Sequence, residues 1–471
     1  MTGLVQGAFS SLAVLPTSTP EYQAANFSEE TWWLTLIKAV FIVVFLILSV
    51  VMALWVERRG LGRIQTRPGP NVAGPLGLFQ ALADAGKLLF KEDIWTSRAD
   101  KFLYFLAPVV MAFSAFSVLA VIPLGPNVNL FGHSSPLQLI DMPVSSLYIL
   151  AVTSLSVYGV VLGGWSARST LPLYGAVRSA AQVISYELAM GMSLVSVFLV
   201  SRTMSTSEIV AAQSTTWWCF ALLPSFIVYF ISMFGEINRL PFDLPEAEGE
   251  LVAGHMTEYS SMKFGWYYLA EYINMVNVSA VVTTMFLGGW HAPWLLSRVD
   301  WLNGGWMGLV WFIIKLWVVM CVIILVRGTL LRVRYDQFMD LGWKILIPVA
   351  LVWIVLVALM QGVQLWLPGY TFMVLAVVVA VILVVAIAVY FMGAPKVKEE
   401  EPEPFDGFAD GYPVPPLPGQ TLPPSPRAQR QAYAATPALV GALAGDGIAD
   451  RDVAYSDETA SGSASKETRS E

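Results

Sequence analysis

The sequence is poor in the residues that hold redox metals. Its 471 residues include two cysteines, Cys219 and Cys321, and three histidines, His133, His255 and His291. Both cysteines lie in apolar segments and the histidines are far apart, so there is no disulfide framework and no clustered metal set (metal ligands: none). A haem or iron–sulfur cluster held by this chain alone is excluded, and any electrons are carried by a partner. Charge is scarce as well: Asp, Glu, Lys and Arg make up 13% of residues against 56% hydrophobic, with mean hydropathy +0.63. That balance excludes a nucleic-acid binder and marks a polytopic membrane protein. The net charge of −7 misleads, because many of the acids belong to the C-terminal tail. No basic stretch precedes the first apolar run, so no cleaved signal peptide is expected; residues 1–30 read as a short exported segment.

What the chain does have is long apolar runs. Windows of spanning length fall near 32–56, 102–124, 144–165, 180–200, 218–237, 265–288, 307–327, 345–366 and 371–393, which predicts an all-α bundle of about nine transmembrane helices. The loops on one side (57–101, 166–179, 238–264, 327–344) hold sixteen Lys/Arg, and those on the other hold only Arg202 and Arg298. The positive-inside rule then puts the N-terminus outside and the basic loops in the cytoplasm. The chain divides into a membrane domain over 31–366, an added helix over 367–393 and a Pro/Ala/Ser- and acid-rich tail over 394–471 that reads as disordered. A ninth span leaves the tail cytoplasmic; a shallow re-entrant hairpin with the eighth would leave it outside.

Between two apolar runs lies GEINRLPFDLPEAEGELVAGHMTEYSSMKFGWYYLAEY, residues 235–272, with Glu236, Asp243, Glu246, Glu248, Glu250, Glu258 and Glu271 against only Arg239 and Lys263. Asp243-Leu-Pro-Glu246 reads as a helix start, with Asp243 as N-cap and Glu246 at the capping-box position. Asp243, Glu246 and Glu250 then share one helix face. A solvated acidic loop is the plain alternative, but Glu236 and Glu271 lie inside apolar segments, where a carboxylate is costly without a purpose.

Other charges stand out by position. After Arg67-Pro-Gly-Pro-Asn71, an amphipathic pattern starts at Pro75, with Phe79, Leu82, Leu89 and Phe90 opposite Gln80, Asp84, Lys87 and Lys91. It reads as an interfacial helix or as a plain surface helix. Glu57, Arg58 and Arg59 sit where the first span emerges, which ordinary snorkelling also explains. Glu187 lies about two turns into the fourth span, as a proton-relay candidate or a structural hydrogen bond. Lys315 is a deeply placed cation, the natural counter-charge for one of the acids.

The runs GEINRLPFDLPEAEGELVAG and TEYSSMKFGWYYLAEY resemble the signature of the quinone-chamber membrane subunit of the proton-pumping NADH–quinone oxidoreductase, respiratory complex I. ERR-LGR-Q-RPGPN, ADAGKLLFKE, LYGAVRSAAQVISYELAMG and RVRYDQFMDLGWK are similar to the same family. The likeness covers roughly residues 30–366, and the family has eight spans where this chain has an apparent ninth. The resemblance implies a non-redox subunit of the bacterial inner (plasma) membrane that forms the membrane side of a quinone chamber. Quinone is then the substrate, lipid the surroundings, and FMN and iron–sulfur clusters belong to partner subunits. It implies that Arg58, Arg67 and Asp84 lie near the quinone path, and that Arg332, Arg334 and Asp336 dock a cytoplasmic partner. It also implies that Glu187, Glu236, Asp243, Glu246, Glu248, Glu250, Glu258 and Glu271 sense quinone reduction and pass it to antiporter-like neighbours. Two other readings stay open: a self-contained ion or proton transporter using the same acids and Lys315, against which stands the lack of an inverted repeat, and the same fold in a related complex such as a membrane-bound hydrogenase.

Overall fold

The computed structural model describes residues 25, 27–28, 30–130, 132–214, 216–243, 251–293 and 305–366. The chain divides into Met1–Val384 and Val385–Glu471, and the described residues all belong to the first unit. Glu246, Glu248, Glu250, most of the N-terminal segment, the ninth apolar run and the tail lie outside the described residues.

Apolar runs of about 20 residues become helices because the backbone's hydrogen bonds are then closed within the segment. The first, α1 (Trp32–Ile64), has 33 residues, about 50 Å at the usual helical rise. It overshoots the expected 32–56, so Glu57, Arg58, Arg59 and Arg63 ride on its protruding end. A one-turn 3₁₀ segment at Pro75–Gly77 precedes the amphipathic helix α2 (Gln80–Phe90), five residues later than the expected start at Pro75. Helix α3 (Lys101–Val118) is capped by Asp100, whose Oδ1 accepts from the amides of Phe102 at 3.2 Å and Leu103 at 3.5 Å.

Next comes an antiparallel hairpin, β1 (Gly125–Leu130) and β2 (His133–Leu137), in a stretch expected to be a plain loop. Helices α4 (Ser145–Ser166) and α5 (Thr170–Ser201) follow. The latter starts well before the expected 180–200, so most of the intervening loop is helical. A short α6 (Thr206–Ala212) leads to the fifth apolar run, which breaks at Leu222 into α7 (Trp218–Ala221) and α8 (Leu223–Glu236), with Pro224 in the first turn of α8. The last described helices are α9 (Ser261–Met285), α10 (Trp306–Thr329), α11 (Tyr335–Asp340) and α12 (Ile347–Trp366), with a π turn over Leu341–Leu346 joining the final two.

Among the described residues, six helices are long and apolar enough to cross a membrane: α1, α3 with its following turn, α4, α5, α10 and the run Tyr335–Val363. The protein is a mostly helical, polytopic membrane protein. Helix α9 is long enough but too polar for that set, because Tyr267, Tyr268, Asn274, Asn277, Thr283 and Thr284 dilute its apolar residues. It is instead among the most buried helices, packed against α1, α2, α3, α6 and α10. A polar helix is tolerable there because other helices, not lipid, surround it. Close approach is needed elsewhere: a Cβ on Gly159 of α4 would stand 2.9 Å from the Met111 Cβ of α3, and small residues are what let transmembrane helices meet backbone to backbone.

Candidate functional site

Where α1 emerges, its charges do more than reach for water. Glu57 is buried, 5% exposed, and Arg327 from the end of α10 pairs with its Oε1. Arg239 lies 3.8 Å from the same oxygen and stacks 4.2 Å from the centre of the Tyr272 ring. Tyr272 donates its hydroxyl to Glu57 Oε2 at 2.9 Å, and the Tyr268 hydroxyl lies 3.2 Å from that of Tyr272. Snorkelling therefore does not describe Glu57: it is the hub of a buried group with one carboxylate and two guanidiniums. Such a cluster tolerates burial because its opposite charges lie against one another and Tyr272 hydrogen-bonds the carboxylate. Arg58 points the other way and pairs with Asp84 of α2, both partly exposed. Gln80 Nε2 donates to the second Asp84 oxygen at 3.1 Å. Arg59 donates to Leu76 O at 3.0 Å and stacks on Trp55, which donates to the same carbonyl at 3.1 Å. Arg67 stays exposed and donates to Gln65 Oε1 at 2.8 Å. Phe79, just before α2, and Leu82, Leu89 and Phe90 on it are exposed apolar side chains.

A second group sits deeper. Glu236, at the end of α8, and Glu271, on α9, both line one small cavity of about 10 Å³ with Ser179, Asn238 and Asn274. Its walls come from α3, α4, α5, α8 and α9. Glu236 Oε2 and Ser179 Oγ, both in its wall, make no hydrogen bond to protein, so the cavity, half of whose lining residues are polar, is of water size with polar atoms facing it. Glu187 on α5 is held by the Ser154 hydroxyl of α4. Five residues earlier, Gln182 Nε2 lies 3.0 Å from Gly235 O, 2.9 Å from Asn238 Oδ1 and 2.9 Å from Phe242 O, tying the start of the acidic stretch to α5. Asp243 is half-buried just beyond.

The far end of the acidic stretch returns to the segment after α2. Glu258 Oε2 accepts from Thr96 Oγ1 at 3.1 Å, and the carbonyl of Glu258 accepts from Tyr104 at 2.6 Å. His255 is 1% exposed and edge-on to Tyr267, and neither ring nitrogen has a hydrogen-bond partner. Burial pushes it down to about 4, so it is neutral at physiological pH.

Two further groups lie apart. Lys315, whose depth suggests a counter-charge to an acid, donates to the carbonyls of Leu287 at 2.6 Å, Gly289 at 3.0 Å and His291 at 2.6 Å, beneath the Trp217 ring. Three converging carbonyls satisfy an ammonium's three N–H groups in place of a carboxylate. Arg332, Arg334 and Asp336 are exposed, with Arg334 Nε 3.2 Å from Asp336 Oδ2.

The structure thus gathers Glu236 and Glu271 around one cavity, pairs Arg58 with Asp84, and leaves Arg67 at the surface. The hub of Glu57, Arg239, Arg327 and Tyr272 escapes a reading of the sequence. Its signals there are Glu57, placed where the first apolar run ends, and Arg239, a lone arginine among seven acids. Residues 37–358 match the family model described as NADH dehydrogenase. With more than half its length matched, and a helical membrane bundle built around buried acids, the chain belongs to the NADH dehydrogenase family of complex I membrane subunits.

Proposed function

We propose that the chain forms the membrane wall of the quinone chamber in a proton-translocating NADH–quinone oxidoreductase and couples quinone reduction to proton movement. The observation that carries this is the meeting of Glu236 and Glu271 at one water-sized cavity, with their stretch fixed to α5 by Gln182 and reaching the α2 segment through Glu258. Quinone enters from the bilayer beside α2, where the guanidiniums of Arg239 and Arg327, with several N–H groups each, offer donors for its ring oxygens. The ring takes two electrons, delivered from NADH by FMN and iron–sulfur clusters in partner subunits, and two protons, to give the quinol. New negative charge in a poorly solvated site redistributes protons among coupled acids, here Glu187, Glu236, Asp243, Glu246, Glu248, Glu250, Glu258 and Glu271. Antiporter-like neighbours receive the change, and Arg332, Arg334 and Asp336 dock a cytoplasmic subunit. The host membrane is the bacterial inner membrane, with the N-terminus outside.

Glu246→Gln and Glu248→Gln test this reading, since Gln keeps the size but removes the titratable proton. NADH-to-quinone activity in membranes is expected to fall while NADH-to-artificial-acceptor activity, which reports assembly, persists. Full quinone activity in both variants overturns the coupling role.

A further inference from the structure

The side chains of four residues, Thr96, Tyr104, Ser261 and Lys263, join the segment Leu88–Tyr104 to the end of the acidic stretch. Two of them hold Glu258 directly: Thr96 Oγ1 donates to its carboxylate at 3.1 Å and the Tyr104 hydroxyl to its carbonyl at 2.6 Å. The Tyr104 ring lies parallel to that of Tyr259, 4.1 Å away, so the backbone on both sides of the Glu258–Tyr259 peptide is clamped to α3. The other two fix the segment that carries Thr96. Ser261, with φ +54, places its hydroxyl 3.1 Å from Leu88 O and 2.9 Å from Lys91 O, at the carboxyl end of α2 where helix carbonyls lack partners. Lys263 is buried, pairs with Asp93 at 2.8 Å and stands 3.2 Å over the centre of the Trp95 ring, with Tyr104 at 4.9 Å. A serine held in the left-handed region and a lysine enclosed by a carboxylate and two rings are costly local arrangements. Both face the same segment.

We infer that Thr96 and Tyr104 are positioning residues for Glu258, and that the Lys263–Asp93–Trp95 group holds Thr96 in register with it. The inference rests on the coupling role proposed above, and it adds the element that sets one of the acids. The segment after α2 thereby links the interfacial helix to the acidic stretch through side chains, so the geometry of Glu258 follows the position of α2. Thr96→Val removes the donor without changing shape, and Tyr104→Phe removes the second donor while keeping the stack on Tyr259.

The test measures NADH-to-quinone kinetics in membranes with a short-chain quinone for Thr96→Val, Thr96→Ser, Tyr104→Phe and Glu258→Gln, with NADH-to-artificial-acceptor activity as the assembly control. A lost hydrogen bond to a charged group is worth enough to lower kcat about tenfold or more. The expected result is that kcat falls by that factor in Thr96→Val with KM unchanged, falls in the same sense in Tyr104→Phe, and returns in Thr96→Ser. If Thr96→Val fails to assemble, Tyr104→Phe alone decides the matter by the same split. Wild-type kcat in the assembled Thr96→Val or Tyr104→Phe protein, with Glu258→Gln impaired, overturns the positioning role and leaves the coupling role standing. A raised KM at unchanged kcat also overturns it, because Thr96 then serves quinone access. Full activity in Glu258→Gln overturns the coupling role of Glu258 itself.

Discussion

Tyr272 donates its hydroxyl to Glu57 Oε2 at 2.9 Å, joining two residues 215 positions apart in the chain. The same carboxylate holds Arg239 and Arg327, so α1, α9, α10 and the start of the acidic stretch meet at one buried charge. Removing the carboxylate leaves the buried guanidinium of Arg239 beside the partly exposed Arg327, and loss of one partner costs about 3–5 kcal/mol in fully buried pairs. Glu57→Gln is therefore expected to lower the amount of assembled complex, read by immunoblot of native gels. Tyr272→Phe removes one hydrogen bond, about 1.5–3 kcal/mol, and is expected to assemble. Normal assembly of Glu57→Gln would show that the arginines find other partners.

The pair Arg58–Asp84 lies at about two-fifths exposure on both sides. Pairs so exposed contribute about 1 kcal/mol or less to stability, so neither Arg58→Ala nor Asp84→Ala is expected to reduce assembly. Both are expected to raise the apparent quinone KM or weaken a quinone-site inhibitor, because the pair sets α2 against the emerging end of α1. Steady-state titration with a short-chain quinone decides it. Wild-type values in both variants reduce the pair to an interfacial anchor.

His255 makes stability depend on acidity. Its folded value near 4 lies below the ordinary 6.5, so between them the unfolded chain binds a proton that the folded chain does not. Stability is then full above about pH 6.5 and falls as pH drops toward 4, by roughly 3 kcal/mol over the whole range. His255→Phe keeps a ring against Tyr267 and removes two unpartnered nitrogens. The variant is expected to raise the thermal midpoint of the solubilised complex and to flatten its decline between about pH 7 and 5. An unchanged slope would assign the acid sensitivity to other groups.

Lys315 distinguishes shape from charge. Lys315→Met leaves the buried carbonyl of Gly289 and the partly buried carbonyls of Leu287 and His291 without their donor, roughly 3 kcal/mol. Lys315→Arg keeps the charge, but its planar fork does not match three convergent oxygens. Both variants are expected to lower assembly. Recovery of assembly and quinone activity by arginine alone would make the positive charge the essential property.

The tail supplies a test of topology. On the proposed topology, in which residues 371–393 form a ninth span from an outside N-terminus, residue 456 is cytoplasmic, so a cysteine at Ser456 is expected to resist an impermeant thiol reagent in intact cells and to react after lysis. Labelling before lysis rules out the ninth span.

The helices were legible because long apolar runs close their own hydrogen bonds in lipid, and all eight expected runs in the described residues carry helix. Their ends were less so. Charges mark where α1 leaves the membrane, yet the helix continues to Ile64 because Glu57 meets Arg327 and Arg239 there. No local pattern announces those partners, which come from distant turns of the chain. The hairpin was hidden for a different reason: Gly125, Pro126, Asn127, Asn129 and Gly132 read as loop punctuation, while pairing is decided by the opposite strand. Glu236 and Glu271 could be flagged as expensive, but their sharing of one cavity depends on helix packing.

The π turn at Leu341–Leu346 has a consequence for how sequences of this kind can change length. A π turn accommodates one residue more than the α-helix it interrupts. This one lies against α5, where Trp343 Nε1 donates to Ser185 Oγ at 3.0 Å and Tyr186 donates to Phe338 O at 2.7 Å. Deleting one residue within it would leave an unbroken helix and preserve the crossing. It would also rotate everything on one side by about 100° relative to the other, carrying either Trp343 or the lower contacts away from α5. A single-residue gap at this place is therefore a change of register between two faces, and not a shortening of the helix.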